Sequence, residues 1–179
     1  MNNNQTANMR SGFTLVELLV VMAIIGVLVT LVGATFRNSQ MRGRDAQRKS
    51  DLNQMLKALE LFYSDYGLYP QDSVGKISAC PYQPATGVGT PCAWGTSEFT
   101  DSKSIYFKQL PADPSSSDTY FYRVVPGSNR QKFQVFARLE NSEDKDCLGG
   151  DCAMSPVTYS CGTYNCNFGL TSSNTTPTE

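Results

Sequence analysis

From Phe13 to Phe36 the chain is apolar, has no proline and carries a single charged side chain, Glu17. Such a run exceeds the roughly 18 consecutive apolar residues that mark a membrane-crossing helix. It predicts one long helix whose surroundings are not water. A carboxylate inside hydrocarbon costs about 2.5–3.5 kcal/mol on insertion scales, so Glu17 needs a partner near the start of that helix. Competing readings account for less. A plain membrane anchor explains the length but not Glu17. A secretory signal requires a basic region, an apolar core and a small-residue cut site in that order. Val32-Gly33-Ala34 would supply the site, but Arg10 alone makes up the basic region and Glu17 interrupts the apolar entry. A buried helix of a soluble protein does not need so long a run. Gly26 and Gly33 weaken the helix by about 1 kcal/mol each, and as small residues they also permit close helix packing.

The helix continues beyond the run. Leu52, Met55, Leu56, Leu59, Phe62, Tyr63 and Tyr66 recur in steps of three and four, with Asp51, Asn53, Gln54, Lys57, Glu60 and Ser64 between them. That is one apolar stripe on an amphipathic helix, closed by Gly67 and Pro70. Residues 67–104 are rich in Gly, Pro, Ser and Thr and read as an irregular loop pinned by a disulfide. Thr119–Val125 and Lys132–Leu139 alternate around Pro126-Gly127-Ser128-Asn129, which reads as an antiparallel hairpin spanning 119–139. The expected class is α+β. A long N-terminal helix, membrane-spanning in its first half and amphipathic in its second, packs on a small antiparallel β-sheet head with disulfide-held loops. The expected segments are a polar leader 1–12, an apolar helix 13–36, an amphipathic helix 37–66, a head 67–170 and a flexible polar tail 171–179.

Six cysteines, Cys80, Cys92, Cys147, Cys152, Cys161 and Cys166, all lie beyond the apolar run. In an exported chain an even number reads as disulfides. Zinc is the weaker reading, because the chain has no histidine and no C-x-x-C pair. Cys80–Cys92 is the expected local bridge. The last four pair among themselves, either as 147–152 with 161–166 or nested as 147–166 with 152–161. The absence of histidine also removes Ser–His and Cys–His nucleophiles, and no spacing marks two carboxylates as an acid–base pair. No enzymatic activity is expected. Net charge is −1, so no global field selects nucleic acid or anionic lipid. The local cluster Arg37, Arg42, Arg44, Arg48 and Lys49 raises nucleic-acid capture as one option, with a solvated or inter-subunit helix face the preferred one. The same cluster follows the apolar run while only Arg10 precedes it, which on flanking charge alone would place the C-terminal side in the cytoplasm. The cysteines argue the reverse, and the expected placement of the head is outside the cytoplasm.

Residues Arg10 to Val21, reading RSGFTLVELLVV, resemble the class III signal of type IV pilins and type II secretion pseudopilins. The resemblance extends through Leu59–Pro70, similar to the end of the pilin helix, and Leu110-Pro111-Ala112-Asp113-Pro114, similar to the major pseudopilin. It implies that a prepilin peptidase cuts after Gly12, that the new N-terminal Phe13 is methylated, and that Glu17 is the assembly glutamate, meeting the Phe13 amine of a neighbouring copy. The implied product is a helical homo-oligomeric filament, built from the inner membrane by an assembly platform with minor pilins or pseudopilins as partners. That filament is either an extracellular, fimbria-like type IV pilus, the favoured branch, or a periplasmic secretion pseudopilus. The alternative outside this class is a monomeric membrane-anchored, disulfide-rich binding domain. Two departures stand out. The proline many members carry near Ala34 is missing, and the acidic calcium loop of secretion pseudopilins falls on Glu140–Cys147, which contains Lys145. Glu143, Asp144, Asp146 and Asp151 are the weak calcium candidates, with a solvated acidic loop preferred.

Overall fold

The computed structural model describes residues 12–179, without the side chains of 31–35. Nearly all of the expected leader, with Arg10, lies outside the described residues, as do the side chains of Val32, Gly33 and Ala34. The chain forms two units, one ending at Ser39 and one from Gln40 to Glu179. A single helix, α1 (Leu15–Tyr66, 52 residues), supplies most of the described part of the first and the opening element of the second.

In the first unit Thr14 begins α1. Its Oγ1 accepts the Glu17 N–H at 3.2 Å, while Glu17 Oε2 accepts the Thr14 N–H at 2.8 Å. This is a capping box, in which two otherwise unpaired backbone donors of the first turn are satisfied reciprocally. From Leu15 to Thr30 every side chain is exposed, and the large apolar ones are 48–78 % exposed. Among the described residues no helix is long and apolar enough to cross a membrane. The expectation that residues 13–36 span one is therefore not supported by the structure.

In the second unit α1 buries one stripe. Leu52, Met55, Leu59 and Phe62 are at most 1 % exposed, flanked by half-buried Leu56, Tyr63 and Tyr66. The helix stops where expected. Gly67 adopts φ 66°, which only glycine does without steric cost, and its N–H closes onto the Tyr63 carbonyl at 2.7 Å. Three small antiparallel sheets cover the stripe. The first orders β1 (Gln71–Ser73), β2 (Lys76–Gln83) and β3 (Val88–Pro91); the second pairs β4 (Phe99–Thr100) with β5 (Ile105–Phe107); the third orders β6 (Phe121–Val124), β7 (Phe133–Ala137) and β8 (Phe168–Thr171). Phe62 sits where the first two sheets meet, its ring centroid 4.9 Å from Tyr82, 5.4 Å from Phe99 and 5.2 Å from Tyr106.

The structure departs from the sequence reading in three places. Residues 67–104 are not an irregular loop, since β1 to β3 form a sheet there. The β1–β2 turn uses Val74 and Gly75, both at positive φ, so the hairpin lacks the Asn-Gly signal that usually reveals it. At Gly89 a Cβ would lie 2.4 Å from the Ser78 carbonyl oxygen, so the close approach of β3 to β2 requires glycine. The second departure is Phe136, placed by alternation on the outer face of its strand but fully buried. The segment carrying Val157, Cys161 and Cys166 covers that face, so β7 is buried on both sides. The third is the tail. Residues 171–179 begin in β8 and continue along the sheet, where Gln134 Nε2 donates to the Thr176 carbonyl at 2.6 Å and Lys132 Nζ meets Glu179 Oε1 at 2.5 Å.

Neighbours on the helix test this core. Phe62→Ala is expected to cost about 3–5 kcal/mol in urea unfolding of the full chain. Leu61→Ala, at a side chain 52 % exposed, is expected to stay within about 0.5 kcal/mol. Equal effects would mean that the helix presents a different face to the sheets.

Candidate assembly site and ion-pair hub

The residues assigned to cleavage and assembly lie together at the start of α1. Gly12 is exposed, Phe13 is 88 % exposed, and Glu17 is the acidic residue of the first turn. Besides the Thr14 N–H, Glu17 Oε2 accepts the Thr14 hydroxyl at 2.8 Å. Thr14 is thus a participant that sequence reasoning missed, although T-x-x-E before an apolar run is the sequence signature of a capping box. The helix that follows is apolar all round, and a helix of that kind is stable when it is surrounded on every side by lipid or by other chains.

The second unit contains a buried charge cluster. Arg48 is fully buried. Its guanidinium forms a two-pronged pair with Asp113, Nε to Oδ2 at 2.8 Å and Nη2 to Oδ1 at 2.7 Å. Nη1 donates to Asp45 Oδ1 at 2.9 Å and to Glu140 Oε1 at 2.8 Å, and Asp118 Oδ2 lies 3.5 Å from Nη2. Arg44 pairs with the same Glu140. Asp45 also accepts the backbone N–H groups of Glu140 at 2.9 Å and Asn141 at 2.8 Å. Burial alone would lower the Arg48 pKa, but its carboxylate partners outweigh that and raise it. Arg44 and then Arg48 hold Glu140 down to about 2 despite its burial, whereas burial and the nearby Asp113 push Asp118 up. Beside the cluster, burial raises Asp51, which accepts the Tyr120 hydroxyl at 2.6 Å.

These contacts redistribute the basic cluster. Arg44, Arg48 and Lys49 are engaged by carboxylates of their own head, leaving Arg37 and Arg42 exposed without an ion pair among the described residues. A five-cation surface for nucleic acid is not present. Arg48, expected in the basic cluster, and Asp51, expected on the polar face, are buried instead, as is Asp45, to which the sequence reading gave no role. Asp45 and Arg48 precede Leu52 at the same three-and-four spacing, so the core stripe begins with charged residues. The Leu110–Pro114 segment gains a physical role, since Leu110 and the Asp113 side chain are both buried.

The cysteines form Cys80–Cys92, Cys147–Cys152 and Cys161–Cys166. Of the calcium candidates, only Asp144 and Asp146 converge, and they converge on Lys49. Asp151 instead accepts the Ala153 N–H at 2.8 Å, and Glu143 is exposed. Among the described residues no group of three or more His, Cys, Asp or Glu side chains is arranged to hold a metal ion.

The family model of the prokaryotic N-terminal methylation motif matches residues 7–33. Type II secretion system core protein G of Pseudomonas aeruginosa is 32% identical over 119 residues, covering 66% of this chain and 76% of the relative. The same protein of Escherichia coli is 30% identical over 120 residues, covering 66% and 74%. The type IV major pilin protein PilA of Myxococcus xanthus is 34% identical over 70 residues, covering 39% of this chain and 31% of the relative. The chain belongs to the pilin and pseudopilin family that includes type II secretion system core protein G. No solved structure matches it. The core protein G alignments are longer than the leader and α1 together, so the family likeness reaches into the head.

The hub sets the acid response of this pilin-family head. A carboxylate whose folded pKa is lowered contributes stability that is complete above its unfolded value and lost as pH falls through the folded one. Glu140 in the hub, and Asp101 outside it, which accepts the Tyr66 hydroxyl and the backbone N–H groups of Ser104 and Lys103, are both held at about 2 and place that loss between about pH 5 and pH 2. Asp118 and Asp51, being raised, act in the opposite sense, since their protonation relieves a cost. Unfolding free energy measured against pH is expected to fall across this window, with a shallower fall in Glu140→Gln.

Proposed function

We propose that the chain is a structural subunit of a pilus-like helical filament and carries out no catalysis. In this reading a prepilin peptidase cuts after Gly12 and methylates Phe13. The apolar helix then anchors the subunit in the inner membrane with the head outside the cytoplasm. An assembly platform next adds subunits to a growing polymer, with minor pilins or pseudopilins as accessory partners. The observation that carries the reading is the apolar half of α1, exposed on every side and bearing one acid in its first turn. Packed against copies of itself, such a helix is removed from water, and a head-to-tail contact that does not close generates a filament. In that interior Glu17 pairs with the Phe13 amine of a neighbour, and the pair selects the axial register because a misplaced carboxylate there has no partner. The match to the methylation motif over residues 7–33 supports the cut and the modification.

A second reading within the same class is the major pseudopilin of a type II secretion system. It is favoured by the reach of the core protein G likeness, 66% of the chain against 39% for the pilin. The disulfide-braced head suits the pilus branch, because an exposed, long-lived filament gains more from covalent bracing. Labelled surface filaments decide for the pilus. Their absence, together with loss of an exported protein on deletion, decides for secretion.

The assembly residues give two tests. Glu17→Ala is expected to accumulate in the membrane while sedimentable filaments fall at least tenfold, and normal filaments from that variant would refute the register argument. Gly12→Ala is expected to retain the leader by mass spectrometry. A mature product of that variant still starting at Phe13 would refute the assigned cut.

A further inference from the structure

The acidic segment after β7 is docked onto α1 by an ammonium group. Lys49 Nζ lies 2.8 Å from both carboxylate oxygens of Asp144 and 2.6 Å from Asp146 Oδ2. Its other side faces the Phe168 ring, with the centroid 5.8 Å away. The pilin and pseudopilin resemblance implies a calcium loop here, and the residues present do not fit one. Calcium requires 6–8 oxygen ligands at 2.3–2.6 Å around one point. Both Asp144 oxygens are committed to the ammonium, and Oδ1 additionally accepts the Asp146 N–H at 3.0 Å. Asp151 is tied to its own turn, Glu143 is exposed, and Phe168 turns a ring rather than an oxygen toward the ammonium. A positive charge already fills the position between the carboxylates.

The electrostatics agree with this geometry. Burial alone would lower the Lys49 pKa, but the hydrogen bonds to Asp144 and Asp146 outweigh it and hold the ammonium above the ordinary lysine value. Burial alone would raise Asp144, but Lys49 and the Asp146 N–H together hold it below its ordinary range. The Cys147–Cys152 disulfide closes the far end of the same segment, with Cys152 Sγ 3.3 Å from the Asp144 carbonyl oxygen.

We propose that Lys49 is the resident cation of this loop: an ammonium carried on α1 holds residues 141–147 in the place of a divalent ion. The head then folds and stays docked without metal. This inference does not depend on whether the filament is a pilus or a pseudopilus.

The test uses the full chain in detergent micelles with calcium chloride as the probe. Wild-type Tm is expected to be the same, within about 1 °C, in chelator and in the millimolar calcium that fills extracellular sites. Lys49→Met is expected to lower Tm by about 2–4 °C. It is also expected to speed amide exchange in residues 142–147 by about tenfold while leaving β7 amides unchanged. Asp144→Asn should reproduce both effects, and the double variant should add little to either single one. Should Lys49→Met fail to fold, Asp144→Asn and the wild-type calcium series decide alone. Two results would overturn the proposal: a calcium-induced rise of several degrees in wild-type Tm, or unchanged exchange of residues 142–147 in the substituted chains.

Discussion

The head is organised around a guanidinium with no access to water. Removing an ion from water costs several kcal/mol even after relaxation, and the cost is offset only where well-placed partners take up every donor. Arg48 meets that condition with carboxylates from four places in the chain: Asp45 on α1, Asp113 in the Leu110–Pro114 segment, Asp118 before β6 and Glu140 after β7. The partners come from α1 itself, from the connection between β5 and β6 and from the residues after β7, so the cluster is complete only when helix, segment and sheet hold one mutual position. Aromatic packing around Phe62 is less directional and would tolerate a sliding helix. The ion pairs do not. Their contribution is best understood as selecting one register of α1 against the sheets, with the net gain in stability supplied by the apolar core.

The same constraint explains why strongly apolar and strongly charged residues share one face of α1. Asp45 and Arg48 occupy the positions just ahead of Leu52, and Asp51 is covered by Tyr120. At this end of α1 a purely apolar stripe would leave the backbone N–H groups of Glu140 and Asn141 without the acceptors that Asp45 provides. Asp45 supplies both acceptors and is in turn held by Arg48. Charge at this end of the stripe is therefore the means by which half-buried backbone is satisfied.

The helix, its end at Gly67 and its apolar stripe were legible in the sequence because each rests on local periodicity or on one conformational requirement. The β6–β7 pair was legible for the same reason. Arg48 was not, because a lone arginine in a basic run looks solvated, and its four partners lie up to 92 residues away. What the sequence did offer was spacing, as Asp45 and Arg48 extend the core stripe by two further steps. The first sheet was hidden by a turn built on Val74, and the docked tail by its polar composition. Tail residues 174–179 hold on through hydrogen bonds and an ion pair, whose partners on Gln131, Lys132 and Gln134 no local pattern reveals. Of the residues assigned to cleavage and assembly, Gly12, Phe13 and Glu17 were readable as a motif, while the capping bond of Thr14 was signalled by the T-x-x-E spacing but not taken up.

That bond changes how assembly should be understood. A carboxylate in an apolar environment is usually treated as an unpaired charge waiting for a partner. Here Glu17 Oε2 already accepts the backbone N–H and the hydroxyl of Thr14, so one of the two carboxylate oxygens is occupied within a single chain. On the filament reading, a neighbouring amine does not rescue a bare charge. It competes for a carboxylate with two donors in place, and only the difference between the two arrangements drives pairing. An ammonium partner forms the stronger, charge-assisted bond, so the exchange still favours the neighbour. Its margin is narrower than a bare buried charge would imply. On that reading a subunit whose acid is partly satisfied alone waits at a reduced cost, and the better-satisfied arrangement beside a copy still selects one register.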